Sequence, residues 1–304
     1  MIHGVLNIYK EKGYTSHDVV AKLRGILKQK KIGHTGTLDP DAEGVLPVCL
    51  GKATKLCDLL TDKEKTYRAV LLLGQTTDTQ DAGGEVLSTA LVTASEEEVR
   101  QAVLSFQGTY EQIPPMYSAL KVDGKKLCDL ARAGKTVERK GRPVTIRQIL
   151  IESVELPRVT MTVTCSKGTY IRTLCQDIGE KLGCGGCMES LLRTRVSRFC
   201  LENSVRLSQV AEAVETGQLP ELVLPIDRMF ETFPAIYVKP EYRRLIENGN
   251  AVTEAMLEKP LEMEDGGKVR LYDAEGVFFA VYAYHGRRRR FEPVKMFYEK
   301  EEQQ

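Results

Sequence analysis

The sequence predicts an α+β protein in which helices flank a sheet, followed by a smaller domain of strands. Two observations lead to this prediction. Before residue 234, helical segments with clear caps are interspersed with β-rich segments, whereas short strands and turns dominate after it. At 304 residues, of which 42% are apolar, the chain is long enough for one large and one small domain.

The N-terminal segment predicts a strand and a basic amphipathic helix. Residues 1–8 are apolar and compatible with a strand. Thr15 or Ser16 can cap the helix that follows, whose outer face carries lysines and an arginine. The apolar residues of the helix recur at helical spacing: Val19, Val20, Leu23, Ile26 and Leu27. This helix leads the chain into the segment 32–48.

That segment reads IGHTGTLDPDAEGVLPV and predicts an ordered loop. Its glycines permit positive φ or close approach of the backbone, and Pro40 favours an extended conformation at Asp39. It also holds His34 and two further carboxylates, Asp41 and Glu43. The loop is therefore expected to present Asp39, and the alternative is an acidic surface turn, because loops are commonly polar.

The other elements of the first domain follow from caps, periodicity and turn residues. They are a buried strand over 46–50, a short helix over 53–60, a strand over 66–73, a helix opened by the Ser95 and Glu98 capping box and ended by Gly108, two strands over 144–156 and 158–164 that meet at Pro157, a helix from near Tyr170 and a helix over 207–217. In the second domain, VRLY and GVFFAVYAY predict a hairpin.

Charge is segregated along the chain although the net charge is only +1. Residues 121–142 include eight basic and three acidic residues, and residues 287–290 are four consecutive arginines. Acidic residues gather at 96–98, near Glu262 and in the C-terminal tail. Such segregation suits a phosphate-binding face, and a solvated surface is the alternative.

The eight cysteines are expected to be reduced thiols, because the N-terminus lacks the pattern of a signal peptide. No run approaches 18 apolar residues, so we expect no membrane segment and a cytoplasmic location. Cys184 and Cys187 have the spacing of half a zinc site. A structural zinc site needs a second pair, which the sequence lacks, so we predict no metal.

The segment GHTGTLDPDAEGVLP, residues 33–47, resembles the catalytic loop of the TruB family of tRNA pseudouridine synthases. In that family, the pattern GHTGxLDPxAxGxLP carries the nucleophilic aspartate, and this sequence fills every fixed position. The resemblance implies that Asp39 is the nucleophile.

Further segments resemble the other motifs of the family. The segment 67–84 matches YxxxxxLGxxTDTxDxxG, which implies that Tyr67 stacks on the target base and assists proton transfer. CSKGTYIRTL, residues 165–174, implies that Arg172 pairs with Asp39 and that Tyr170 lines the base pocket. SLLRTRV, residues 190–196, places Leu191 at the pocket floor. The first motif matches at Lys10, expected to bind substrate, although Glu11 stands where the family usually has proline.

The resemblance also specifies the fold. It implies a catalytic domain over 1–232 with a mixed, largely antiparallel sheet, an RNA-gripping thumb insertion at about 111–142, and a small PUA-like β-barrel over 233–304. The basic, glycine-punctuated segment 121–142 lies in the thumb.

The implied reaction is isomerisation of uridine 55 in the T-loop of tRNA, after the base has left its stack. His34 can occupy the vacated space. The scheme needs no cofactor, metal or obligate protein partner, and a monomer is expected. Whether Asp39 attacks C6 or C1′ stays open.

Two other classes of function remain to be compared. A non-catalytic RNA-binding protein with this fold would be expected to lack Asp39, Tyr67 or Arg172, and all three are present. A glycosidase would use Asp39 and Glu43 as paired carboxylates, but the absence of tryptophan, a common sugar platform, disfavours it.

Overall fold

The computed structural model describes residues 1–61, 63–122 and 124–298. The acidic tail noted in the sequence, and with it the end of the predicted second domain, lies outside these residues. Two sheets organise the described chain, and its helices are all too short or too polar to cross a bilayer.

The N-terminal part closely follows the prediction. Its elements are β1 (Gly4–Lys10), α1 (Ser16–Leu27), β2 (Ile32–His34), β3 (Glu43–Leu50), a 3₁₀ turn (Gly51–Leu56) and α2 (Cys57–Thr61). Thr15 is the N-cap of α1, with a complete capping box to Asp18. The predicted helix over 53–60 is α-helical only in its second half. The predicted loop is shorter than expected because Ile32 to His34 pair with β3.

The middle of the chain supplies the centre of the large sheet. Its elements are β4 (Lys65–Leu73), β5 (Gln75–Thr77), β6 (Val86–Thr89), α3 (Glu96–Leu104), β7 (Gly108–Gln112), β8 (Lys121–Val122), β9 (Lys125–Lys126), α4 (Leu127–Arg132), β10 (Arg142–Glu155), β11 (Arg158–Cys165), α5 (Ile171–Lys181), β12 (Gly186–Val196), β13 (Phe199–Cys200), α6 (Leu207–Glu215) and α7 (Leu219–Leu222). The Ser95 and Glu98 capping box opens α3 as predicted.

The described residues form a nine-stranded sheet in the order β1-β3-β12-β4-β11-β10-β7, with β2 on β3 and β13 on β12. The pairing of β12 with β3 is parallel, and the others are antiparallel. This confirms the predicted mixed, largely antiparallel sheet. Strand β4 alternates buried and partly exposed residues, because one of its faces packs against α5 and the core around Leu174 and Ile178.

The C-terminal part forms a second sheet, in the order β14-β16-β17-β18-β15. Its elements are β14 (Ala235–Val238), α8 (Arg243–Glu247), β15 (Val252–Thr253), β16 (Lys268–Asp273), β17 (Phe278–His285) and β18 (Arg290–Met296). The predicted hairpin is β16 and β17. The five strands agree with the predicted PUA-like barrel, and the boundary at residues 232 and 233 stays a prediction.

The two sheets share an apolar cluster. Val281 and Phe297 from the C-terminal part pack with Val5, Val45 and Ile226 of the first part. The Lys55 Nζ atom also donates a hydrogen bond of 3.0 Å to the Met296 carbonyl oxygen. The second sheet is thus packed firmly onto the first.

Candidate active site

The loop that carries Asp39 spans residues 35–42, between β2 and β3. Two buried cations hold it from below. Lys10 Nζ donates to the carbonyl oxygens of Pro40 at 3.0 Å and Ala42 at 2.5 Å, near the end of the loop. Arg193 donates to the carbonyl oxygens of Gly36 at 3.3 Å and Thr37 at 3.5 Å, near its start. The backbone of the loop is therefore fixed at both ends.

The burial of Lys10 corrects the expectation that this residue contacts substrate directly. Its side chain is fully buried, and desolvation lowers its pKa to about 8. Lys10 reaches a substrate only through the loop that it holds. Glu11, the departure from the family pattern, forms an ion pair with Arg206, which lies over the Tyr9 ring.

Asp39 lies on the floor of a cleft of about 1540 Å³. Arg172, at the start of α5, forms an ion pair with it at 2.9 Å from Nε to Oδ2. The Arg172 side chain is only 6% exposed, and it also lies 3.6 Å from Asp81 Oδ2. Burial raises the pKa of Asp39, the Arg172 charge opposes that rise, and the Asp81 charge adds to it. This arrangement places one carboxylate in a confined site beside a cation.

Tyr67, Tyr170 and Leu191 line the same cleft as Asp39 and Arg172. Tyr67 lies on β4 and Leu191 on β12, and both are 8% exposed. Burial raises the pKa of Tyr67 to about 12, so its hydroxyl is protonated at neutral pH. The structure therefore brings together five of the seven predicted site residues.

His34 is half-buried in β2, where it pairs with Val48 rather than lining the cleft. Its Nδ1 atom is buried without a hydrogen-bond partner in the described residues. Burial lowers the pKa of His34, and the nearby Arg193 charge lowers it further. The imidazole is thus neutral at pH 7, and its role in base extraction stays a prediction.

The thumb segment forms one side of the cleft. Its carbonyl at Tyr117 accepts a hydrogen bond of 2.9 Å from Arg172. Lys126, Arg132 and Arg142 from the basic segment line the cleft. A polyanion that enters the cleft would meet these charges before it reaches Asp39.

Gln112, at the start of the predicted thumb segment, fixes the start of α5. Its side-chain amide accepts a hydrogen bond from the Tyr170 nitrogen at 2.8 Å and donates one to the Tyr170 carbonyl at 3.0 Å. Tyr170 is the N-cap residue of α5, and its own side chain makes no capping bond. Gln112 is almost fully buried, and it also donates to the Tyr110 hydroxyl at 2.6 Å. It therefore binds both backbone groups of the N-cap residue and orients the turn that carries Arg172.

Sequence reasoning assigned no role to Asp81, Gln112 or Arg193. Asp81 occupies a fixed position of the motif that spans residues 67–84. Arg193 follows Leu191 by two residues on a strand, which places both side chains on one face of the sheet. The contact of Gln112 with Tyr170 joins residues 58 positions apart, and no local pattern indicates it.

The described residues contain no cluster of side chains suited to bind a metal ion. Within residues 1–61, 63–122 and 124–298, no three His, Cys, Asp or Glu side chains are placed to hold an ion. The eight cysteines, Cys184 and Cys187 among them, are free.

Comparisons with known proteins show which proteins this chain is similar to. The family model "TruB family pseudouridylate synthase (N terminal domain)" matches residues 24–171, and "tRNA pseudouridylate synthase B C-terminal domain" matches residues 172–231. A tRNA pseudouridine synthase B of Lachnoclostridium phytofermentans is 56% identical, covering 97% of this chain and 100% of that protein. One from Alkaliphilus oremlandii is 45% identical, covering 99% of this chain and 100% of that protein.

Among solved structures, a chain of a Cbf5–Nop10–Gar1 complex superimposes with a TM-score of 0.70 at 27% identity. The match covers 97% of this chain and 85% of that chain. A chain of an H/ACA ribonucleoprotein bound to a substrate RNA has the same fold, with a TM-score of 0.71 at 24% identity. On the extent of the sequence matches, this chain belongs to the TruB family of pseudouridine synthases.

Proposed function

We propose that this enzyme converts uridine 55 in the T-loop of tRNA to pseudouridine, with Asp39 as the nucleophile. The observation that carries the proposal is the ion pair between Asp39 and the buried Arg172 on the floor of the cleft. The relatives that match over nearly the whole chain are named as tRNA pseudouridine synthases, which supports tRNA as the substrate.

The reaction breaks the bond between C1′ and N1 and forms a bond between C1′ and C5, with no change in oxidation state. It requires one ionised carboxylate that can add to the pyrimidine or to C1′. Burial raises the pKa of Asp39 and so disfavours its anion, whereas the Arg172 guanidinium favours the anion. Tyr67 lines the cleft beside Asp39 and offers both a ring to stack on the base and a hydroxyl to move a proton.

The target uridine has to leave the RNA stack before Asp39 can reach it, which costs a few kcal/mol. Phosphate contacts from the thumb offset part of this cost, and they do not depend on sequence. Choice of the T-arm then rests on the shape of the folded RNA. Because the substrate is tRNA, the proposed location is the cytoplasm, with the enzyme acting as a monomer without an obligate protein partner.

The proposal is tested by Asp39→Asn, with Asp41→Asn as the matched control. Asp39→Asn should lower pseudouridine formation in a T-arm RNA by at least about 1000-fold, because the amide is no nucleophile. RNA affinity should stay within a few-fold, since phosphates and loop shape carry binding. Asp41 is exposed on the same loop, and Asp41→Asn should be mild.

The measurement is tritium release from 5-tritiated uridine in the RNA, beside filter binding. Substantial turnover by Asp39→Asn would exclude Asp39 as the nucleophile. An inactive wild-type protein that still binds the RNA would favour the non-catalytic alternative.

A further inference from the structure

Arg193 is a fully buried cation without a described carboxylate partner. Its guanidinium meets the carbonyl oxygens of Gly36, Thr37 and Val45, with the shortest contact at 2.7 Å from Nε to Val45. Burying a guanidinium that no anion neutralises is costly, because the charge loses its hydration. Holding a loop does not require a charge, so the position of Arg193 calls for a further explanation.

Arg193 also lies beside Tyr67. The two residues are directly opposite each other on the antiparallel strands β4 and β12, so their side chains share one face of the sheet. Burial raises the pKa of Tyr67, while the Arg193 charge and a side-chain hydrogen bond from Arg193 to the Tyr67 hydroxyl oppose that rise. Both residues also line the cleft that contains Asp39.

The direction of this hydrogen bond follows from chemistry. A guanidinium has five N–H donors and no acceptor, so the Tyr67 oxygen has to accept the bond. The hydroxyl proton of Tyr67 consequently points away from Arg193. An oxygen held in this way keeps its own proton and a remaining lone pair available to a base bound in the cleft.

The reaction has a step that needs such a group. Once C1′ is attached to C5, the C5–H bond has to break and an N1–H bond has to form, which moves one proton and no net electrons. Tyr67 is protonated at neutral pH, since its pKa is raised to about 12. It can therefore act as the base for C5 only if its own proton passes to N1 first, which leaves negative charge on the Tyr67 oxygen until the C5 proton restores the hydroxyl.

We propose that Arg193 is a positioning residue for this proton transfer: it orients the Tyr67 oxygen and stabilises the charge that develops there. The inference rests on the proposed function, because it assigns a residue to the second half of the same reaction. A preorganised donor aimed at developing charge is an effective form of electrostatic stabilisation in a buried site.

The test separates this role from that of a structural support for the loop. Single-turnover rates are measured on a T-arm stem-loop RNA that carries either uridine or 5-deuterouridine at the target position. The variants are Arg193→Lys and, as the matched control, Lys10→Met. Both variants weaken a buried cation that holds the Asp39 loop, but the described contacts of Lys10 are with carbonyl oxygens of residues 11, 40 and 42 and not with Tyr67.

Arg193→Lys should slow the reaction about 10- to 100-fold and raise the deuterium isotope effect above that of the wild type, because removal of the C5 proton becomes limiting. Lys10→Met should slow the reaction without raising the isotope effect, since it disturbs only the step that uses Asp39. An Arg193→Lys variant with a reduced rate and an unchanged isotope effect would overturn the proposal and leave Arg193 as a loop support.

Tyr67→Phe provides the test if the Arg193 variant does not fold. It keeps the ring and the loop contacts of Arg193 but removes the oxygen, and it should show the raised isotope effect. If Tyr67→Phe does not raise the isotope effect, Tyr67 takes no part in the proton transfer and the proposal for Arg193 is wrong. Failure of the proposed function is recognised separately, because the wild type would then form no pseudouridine in the RNA.

Discussion

Two carboxylates compete for the Arg172 guanidinium, and their distances from it differ. Asp39 lies at 2.9 Å and Asp81 at 3.6 Å. The negative charge of Asp81 raises the pKa of Asp39, which already is raised by burial. Asp81 Oδ1 accepts hydrogen bonds from Thr79 and Gly83, so the carboxylate is held in place. The protonation of Asp39 therefore depends on a second carboxylate.

Replacing Asp81 with asparagine should move the acid limb of the pH–rate profile to lower pH. The substitution removes a like charge near Asp39, so the Asp39 anion becomes easier to form and its pKa falls towards the ordinary value. A nucleophilic Asp39, as proposed, has to be ionised, so the rate should be lost as pH falls through that pKa. The amide oxygen of the introduced asparagine can still accept the bonds from Thr79 and Gly83.

The measurement is single-turnover rate against pH for wild type and Asp81→Asn, with Asp41→Asn as the control that should leave the limb unchanged. A limb that stays in place or moves to higher pH in Asp81→Asn would show that the Asp81 charge does not act on Asp39.

His34 gives a second prediction at this scale, because it is neutral and its Nδ1 atom has no described partner. If its ring fills the gap left by the flipped uridine, His34→Ala should slow the reaction on a structured T-arm through the loss of stacking worth ~1–3 kcal/mol. The loss should be smaller on an RNA loosened by mismatches beside the target. Single-turnover rates on the two RNAs test this, and equal losses on both would contradict a stacking role for His34.

The residues that sequence reasoning identified and those that it missed differ in a physical way. Asp39, Tyr67 and Arg172 stand in motifs that resemble a known family, so their types and spacing were readable. Arg193 lies next to backbone carbonyls and opposite Tyr67 on a neighbouring strand. The register between two strands cannot be read from the sequence of either strand alone. Lys10 was readable as a motif residue, but its full burial depends on how the loop folds over it.

At the scale of elements, the contact between Gln112 and α5 connects the thumb to the active site. Gln112 ends β7 at the start of the predicted thumb segment, and Tyr170 and Arg172 stand at the start of α5. The end of the helix has unsatisfied N–H groups that need a partner, and Gln112 supplies it from another element. The angle at which Arg172 enters the cleft therefore depends on a strand that is distant in the sequence.

Gln112→Met should destabilise the protein by about 1–3 kcal/mol, because the partly buried N–H group of Tyr170 loses its hydrogen-bond partner. Activity per folded molecule should fall as well, since Arg172 and Tyr170 lose their fixed position. Thermal melts and single-turnover rates measured below the transition give both quantities.

Gln209→Met is the matched control for this change. Gln209 accepts a hydrogen bond from the Arg206 nitrogen at the start of α6, where it caps a helix outside the cleft. The Gln209→Met substitution should lower the stability of the protein slightly and leave the reaction rate unchanged. Full activity of folded Gln112→Met would show that the contact has only a stabilising role.

The helices and strands themselves were largely predictable, because capping boxes and alternation are local signals. Thr15 with Asp18 and Ser95 with Glu98 mark two helix starts within four residues each. The assignment of Ile32 to His34 as loop was wrong, because glycine and histidine have low strand propensity and only pairing with β3 makes this a strand.

At the scale of the whole molecule, the two sheets are joined by buried apolar contacts. Phe297 is 2% exposed and packs with Phe230 and Phe278 at ring-centroid distances of 5.7 and 5.6 Å. The change near residue 234 from mixed helices and strands to short strands and turns indicated a second domain. It gave no information on how that domain packs against the first. The cluster joins residues nearly 300 positions apart in the sequence, since it includes both Val5 and Phe297.

Phe297→Ala should lower the stability of the entire described chain by about 3–5 kcal/mol, because it leaves a cavity in a cluster to which both sheets contribute. The expected observation is one cooperative unfolding transition at a lower temperature. Val294→Ala, three residues earlier in β18 and 53% exposed, should change stability by less than about 0.5 kcal/mol.

Circular dichroism and calorimetry follow the two variants. Two separate transitions in Phe297→Ala, with the one from the first sheet unshifted, would contradict the idea of a shared core.

The loop over Lys10 and Arg193 has one more consequence, which concerns peptide dipoles. In a planar trans peptide, the N–H bond points opposite to the C=O bond. The carbonyls of Gly36 and Pro40 point inward to the two cations, so the N–H groups of Thr37 and Asp41 point outward, and both residues are exposed. The outer surface of a loop that carries two carboxylates thus presents the positive ends of peptide dipoles. An anionic RNA backbone would meet donors there, close to Asp39.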